Sequence, residues 1–239
     1  MILSMQSKKI QDSATIIEPL LVFSAFFLPG YLTQGGNIDR GLFDSVLFNL
    51  VYLVTAVSEA GIMLYLIANR GARAEEYSDC GIFRKYGLSP LRGIDILRAI
   101  LILAGILLLV FLLSTAVRII PGSPEFPLKD YAGFTLTKRA LIPLVFLTCI
   151  ATGYREELFF RAYLTTHLEI QGLKPLWILS SASILFGLGH VYEGVFGFLA
   201  TTALGFYFGF AFLKRRNIHE IAIAHGLYNF LVLVASLLR

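Results

Sequence analysis

The apolar runs decide what this chain can fold into. Residues 94–117 and 194–213, among others, form nearly uncharged hydrophobic stretches. About 17–25 such residues in a helix cross the ~30 Å hydrocarbon core of a bilayer. Of the 239 residues, 56% are hydrophobic and 15% charged, and the mean hydropathy is +0.74. A soluble domain carries roughly 25% charged residues, so these charges are too few to coat a water-facing surface. The composition excludes a secreted globule, a disordered chain and a disulfide-stapled mini-protein. The net charge of +4 sits in loops between apolar runs and does not point to nucleic acid. Cys80 and Cys149 lie far apart without metal-type spacing and read as free thiols.

Seven helical spans follow from hydropathy: 16–32, 42–69, 94–117, 140–166, 173–190, 194–213 and 218–238. The expected fold is all-α, a polytopic transmembrane helical bundle of about seven to eight spans. It is read as a single membrane domain over residues 1–239, multi-pass, in the cell membrane of a prokaryote. The first span is the weakest, because it holds Glu18 and Pro19 and ends near Pro29. Lys8 and Lys9 precede it without a signal-peptide cleavage pattern. Pro121, Pro124 and Pro127 keep the 118–139 loop from being helical.

Lysine and arginine favour the cytoplasmic side of a membrane. With the N-terminus inside, the inner segments hold Lys8, Lys9, Arg70, Arg73, Arg84, Lys85, Arg92, Lys174 and Lys214–Arg216. The outer segments hold fewer: Arg40, Arg118, Lys129, Lys138, Arg139 and Arg239. Small residues crowd the later spans, including Gly187, Gly189, Gly194, Gly197 and the Gly205/Gly209 pair, which lets helices approach closely in lipid.

The fourth span reads RALIPLVFLTCIATGYREELFFRAYL. Its apolar part, 140–153, reaches only about 21 Å at 1.5 Å per residue. The helix must therefore continue through Arg155, Glu156, Glu157 and Arg161. At mid-helix each charge costs about 2.5–3.5 kcal/mol on insertion scales, so these side chains must face protein, water or each other. Glu157 and Arg161 are i, i+4 and can pair on one face. Glu156, about 100° round the helix, is left available. Glu59, another mid-span acid, is a candidate partner for Arg155 or Arg98. Phe186 and His190 share a face of the fifth span, as do His225 and Asn229 on the seventh. His167 and His219 fall near span ends and read as surface residues.

Glu-Glu-x-x-x-Arg at 156–161, Phe-x-x-x-His at 186–190 and His-x-x-x-Asn at 225–229 occur in that order. Together they resemble the CPBP family of intramembrane proteases, which includes type II CAAX prenyl endopeptidases and bacteriocin-processing proteins. The resemblance covers residues 140–235, the expected catalytic core, with a weaker likeness in KYGLSPLRGIDILRA at 85–99. It implies a membrane endopeptidase in which Glu156 and His190 activate water and His225 and Asn229 stabilise the oxyanion. Glu157, Arg161 and Phe186 would support the site. The partners implied are membrane lipid and a peptide or protein substrate; prenylated C-termini, leader peptides and sorting signals all occur in the family, and the oligomeric state stays open.

Metal also stays open. Glu156, His190 and His225 could compose a His₂Glu zinc set, but the chain lacks the His-Glu-x-x-His spacing that prearranges zinc. A glutamate-activated water suits the motif equally. On straight helices Glu156 lies about 15 Å, His190 about 24 Å and His225 about 12 Å from the inner ends, a mismatch the fold has to absorb. Two alternatives compete with the protease: a non-catalytic bacteriocin-immunity-type membrane protein, and a proton-coupled transporter built on the same buried charges.

Overall fold

Hydrophobic runs without strand-type alternation become helices, and every regular element among the described residues is helical. The computed structural model describes residues 17–32, 41–73, 79–119 and 134–238. In chain order the helices are α1 (Ile17–Phe26), α2 (Leu28–Leu32), α3 (Val46–Arg73), α4 (Asp79–Lys85), α5 (Gly93–Ile119) and α6 (Ile142–Glu157). A π-helical segment (Leu158–Leu164) joins α6 to α7 (Thr165–Ile170) without a break. Then come α8 (Pro175–Leu188), α9 (Gly194–Arg215) and α10 (Ile218–Ala235). The proline-bearing part of the 118–139 loop, Lys8 and Lys9 lie outside the described residues. α4 falls within a stretch that the hydropathy reading left as a loop, because it is too short and charged to register as a span.

Among the described residues, four stretches are long and apolar enough to cross a membrane: Val46–Arg70, Gly93–Ile119, Val191–Arg215 and Ile218–Leu238. Ile17–Phe26 and Pro175–Leu188 are apolar but shorter, and α6 carries charge. By length and composition the described residues supply four such helices, so the seven to eight spans read from hydropathy are not confirmed. The exposed surface fits lipid. On α5, Leu101 and Phe111 are 63% and 65% exposed, which water would penalise and hydrocarbon does not.

α6 is the central helix, packed against α3 and α10; α10 also meets α5, and α8 pairs with α9. Glycines set these approaches. A Cβ on Gly153 would lie 2.6 Å from the carbonyl oxygen of Ala222, and one on Gly226 2.8 Å from the Cα of Ile150. This α6–α10 seam was not among the glycines singled out in the sequence. The α8–α9 seam was: Gly187 faces Thr202, Gly205 faces Ser183 and Gly209 faces Leu179. Gly194 starts α9 at φ +82°, a backbone conformation that suits glycine alone.

Hydrogen bonds define two faces of the bundle. On one, Asp44 beside α3 accepts from the backbone N–H groups of Thr137 (2.8 Å) and Lys138 (2.9 Å), ahead of α6. Ser236, after α10, accepts from the N–H of Leu136 at 2.8 Å. On the other face, Ile218 N–H donates to the Gly87 carbonyl (3.0 Å), and His219 Nε2 donates to the Ser89 carbonyl (2.7 Å). Arg216 there pairs with Glu169. His219 is thus half-buried in a loop contact. His167 corrects the surface reading outright: it is 1% exposed, with its ring against Tyr163 and Tyr86.

The first span runs between these faces. Glu18 accepts from Arg70 at 2.6 Å and from Tyr163. Phe27 packs on Phe159 and Phe160, and Tyr31 donates to the Leu185 carbonyl at 2.7 Å.

Two outcomes follow from this packing. Gly226→Ala forces backbone, not a movable side chain, to give way. Overpacking of this kind costs about 1–3 kcal/mol, so thermal unfolding in detergent should drop in midpoint, and an unchanged midpoint would refute the tight seam. At Asp44, partial desolvation pushes the carboxyl up, but the Thr137 hydroxyl and the two backbone N–H groups outweigh it and hold it below its ordinary value. A carboxyl lowered in the folded state contributes stability above the unfolded pKa of about 3.9, and that stability is lost as pH falls through the folded value. Stability measured from pH 6 down to about 3 should therefore fall less in Asp44→Asn than in the natural protein.

Candidate active site

A carboxylate inside a membrane domain survives only if something offsets its lost hydration. The tandem glutamates solve this differently. Glu157 is fully buried. Its Oε2 forms an ion pair with Arg161 Nε at 3.1 Å, the i, i+4 partnership expected from spacing. Its Oε1 lies 2.8 Å from His225 Nδ1 on α10. The intervening π turn does not prevent the first contact, and the second was invisible to a reading confined to one helix. The Arg161 guanidinium is enclosed by Phe186 (4.8 Å), Phe208 (5.6 Å) and Phe160 (5.7 Å) rings, whose faces attract a cation.

Glu156 is not unpartnered, which corrects the expectation that it was simply left available. Its Oε1 lies 3.3 Å from Arg155 Nη2, and Arg155 Nη1 lies 3.5 Å from Glu59 on α3. Arg155 is thus the partner of Glu59. It also sits over the rings of Phe27 (5.2 Å) and Tyr52 (5.5 Å). The other oxygen, Oε2, is 3.9 Å from His225 Nε2. His225 therefore stands between the two glutamates, one on each ring nitrogen.

His190 occupies the turn after α8. Its Nδ1 is 3.1 Å from the Phe186 carbonyl. A carbonyl can only accept, so Nδ1 carries the proton and Nε2 of the neutral ring is an acceptor. The same bond folds the imidazole back along α8. Phe186 has its ring against His190 (5.2 Å between centroids) and His225 (5.8 Å). It contacts both imidazoles.

All five side chains line one cavity of about 170 Å³: Glu156, Phe186, His190, His225 and Asn229. The height mismatch expected on straight helices does not keep these residues from sharing one cavity. Cys149 also lines it, as do Tyr192, Glu193 and Tyr52, which were not singled out beforehand. Their signal was faint: Tyr192 and Glu193 are two and three residues after His190, and Tyr52 lies on an apolar span without a motif. Cys149 is a free, buried thiol, in line with the sequence reading. Among the described residues, no three His, Cys, Asp or Glu side chains converge in a way that could hold a metal ion. The Glu156, His190 and His225 set does not fit zinc in this arrangement.

The Glu157 contacts carry a stability prediction. Removing one member of a buried ion pair typically costs about 3–5 kcal/mol, because the other charge is stranded. Glu157→Gln should unfold at markedly lower temperature in detergent, and Glu157→Gln with Arg161→Met should recover much of the loss. Equal stability of Glu157→Gln and the natural protein would rule out an ionised pair.

Residues 138–231 match the family model described as Rce1-like, type II CAAX prenyl endopeptidase. The resemblance read from the three motifs is thereby shown over that stretch, which contains every motif residue. No curated protein and no solved structure matches the chain. The apolar helices and the family match together make this an integral membrane protein bearing a membrane-protease family signature.

Proposed function

We propose that the chain is a membrane endopeptidase that hydrolyses a peptide bond inside the α6–α8–α9–α10 cavity. The observation that carries this reading is the meeting of Glu156, His190, His225 and Asn229, from three separate segments, on one largely apolar cavity. In this mechanism a water molecule lies between Glu156 and the acceptor Nε2 of His190. Glu156 takes a proton from it as it attacks the scissile carbonyl. The carbonyl oxygen becomes an oxyanion, and the same proton passes from Glu156 to the departing amine. This general-base step suits a carboxylate in hydrogen-bond reach of water.

The oxyanion is stabilised by donors that face the cavity before the reaction starts. The Asn229 side-chain amide is one. His225 is the other in its doubly protonated form: Nδ1–H donates to Glu157, and Nε2–H is turned to the cavity beside Glu156. Glu157 is then a positioning residue for His225 as well as the counter-ion of Arg161. Arg155 fixes one oxygen of Glu156, leaving Oε2 for water. The name of the matched family makes prenylated C-terminal peptides one substrate class to assay.

The test is kinetic. Glu156→Gln keeps the side-chain shape and loses the base, so it should remain folded and inactive; full activity would end the proposal. Asn229→Ala should lower kcat by about 10²–10³. KM should hardly change, since an interaction made in the transition state leaves ground-state binding alone. A rise in KM at constant kcat would instead make Asn229 a substrate-binding residue.

A further inference from the structure

Glu156, Phe186, His225 and Asn229 sit on helices, but His190 sits in a turn, at φ −122° and ψ 17°. Its aim depends on how that turn is held. The end of α8 tightens there. Gly189 N–H donates to the Phe186 carbonyl (3.2 Å) and His190 N–H to the Gly187 carbonyl (2.8 Å), each three residues back rather than four. The Phe186 carbonyl also accepts from His190 Nδ1–H at 3.1 Å. Helix ends deprive carbonyls of their usual donors. For Leu185 that donor would be the Gly189 N–H, which goes to Phe186 instead. The Leu185 carbonyl accepts from the Tyr31 hydroxyl of α2, at 2.7 Å.

Two glycines let neighbours close on this turn. A Cβ on Gly187 would collide with Thr202 Oγ1 and lie 3.0 Å from the Phe198 carbonyl oxygen, both on α9. One on Gly189 would lie 2.9 Å from Tyr31 Cζ and Oη. Residues two apart are about 200° round a helix, so the end of α8 is gripped between α9 and α2. Tyr31 is itself held. Its ring meets Phe23 edge-on, at 5.2 Å between centroids, and Phe27, one turn earlier, packs on Phe159 and Phe160. At the start of α1, Glu18 accepts from Arg70 and Tyr163. Tyr31 is not among the residues lining the cavity, and it lies outside the matched stretch 138–231. Its influence on the chemistry passes through the turn.

We propose that Tyr31 is the positioning residue for His190. Its hydroxyl caps the end of α8 and its ring braces Gly189. Together they keep His190 Nδ1–H on the Phe186 carbonyl and leave Nε2 as the acceptor. The consequence for turnover rests on the protease reading; the state of the imidazole does not.

Two variants test this in the full-length protein in detergent. Tyr31→Phe removes the hydroxyl and keeps the ring. Val22→Ala trims a buried side chain of the same helical pair and leaves the hydroxyl in place. Thermal midpoints are measured, together with kcat and KM on a prenylated C-terminal peptide. NMR of isotope-labelled imidazoles reads the tautomer at pH about 8, where a histidine of ordinary pKa ~6.5 is neutral. His190 is assigned by the signal lost in His190→Gln. The Nδ1–H tautomer of His190 is expected in the natural protein and in Val22→Ala, and a mixture of tautomers in Tyr31→Phe. Displacing a reacting group by about 1 Å costs up to ~10² in rate, so kcat of Tyr31→Phe should fall about tenfold at nearly constant KM. Val22→Ala should keep its kcat even where its midpoint drops as far. An unchanged tautomer in Tyr31→Phe would overturn the proposal, as would an unchanged kcat in that variant of an active protein. An equal loss of kcat in Val22→Ala would reduce Tyr31 to a packing residue and overturn it too. A natural protein that cleaves no peptide yet shows the expected tautomers would end the protease reading and leave the positioning of His190 standing.

Discussion

The Glu157 carboxylate is the interaction on which the site depends. One oxygen faces Arg161 on its own helix and the other faces His225 on α10. A fully buried carboxylate is tolerated only with such partners. Having them, it fixes two things at once. It anchors the caged Arg161 guanidinium, and it holds a proton on Nδ1 of His225, since a carboxylate can only accept there. The α6–α10 seam makes this possible. Gly153 and Gly226 let the two helices approach until backbone meets backbone. Side chains on helices lean towards the N-terminus, so in this antiparallel pair Glu157 and His225 lean towards one another and meet.

The helices were legible because hydrophobic length is a coarse signal that survives without tertiary information. α5, α9 and α10 lie within a few residues of where hydropathy placed them. The polar residues of the site were legible for an energetic reason: a charge or imidazole amid apolar residues demands an explanation, and few exist. What stayed hidden was every relation between helices. Periodicity pairs Glu157 with Arg161 but cannot see His225. It leaves Glu156 without a partner because Arg155 is adjacent in sequence, and helical spacing does not pair neighbours. His167 looked like an end-of-span surface residue, yet α7 packs it under Tyr86, a loop-borne residue whose position no helical pattern predicts.

The N-terminal helices show the same limit from another side. α1 and α2 lie outside the matched stretch 138–231, and their sequence bears no motif. They nonetheless complete the surroundings of the site. Phe27 packs at a tilt on Phe159 and faces Arg155, and Tyr31 lies against Gly189, next to His190. A Cβ on Gly189 would come within 2.9 Å of that Tyr31 ring. The glycine in the Phe-x-x-Gly-His segment is therefore kept small by contact with a helix that carries no chemistry of its own.

Charge bookkeeping across the site ties these pieces together. Glu59, Glu156 and Glu157 face Arg155 and Arg161, each pair within 3.5 Å. Two guanidiniums thus answer three carboxylates. Arg155 is shared between Glu59 and Glu156, whereas Arg161 serves Glu157. His225 adds to the inequality, with Nδ1 at 2.8 Å from Glu157 and Nε2 at 3.9 Å from Glu156. In a medium that solvates charge poorly, Glu157 is the better compensated of the tandem pair and Glu156 the one with room for a further partner. That difference is why the proposed mechanism gives the base to Glu156 and the scaffold to Glu157.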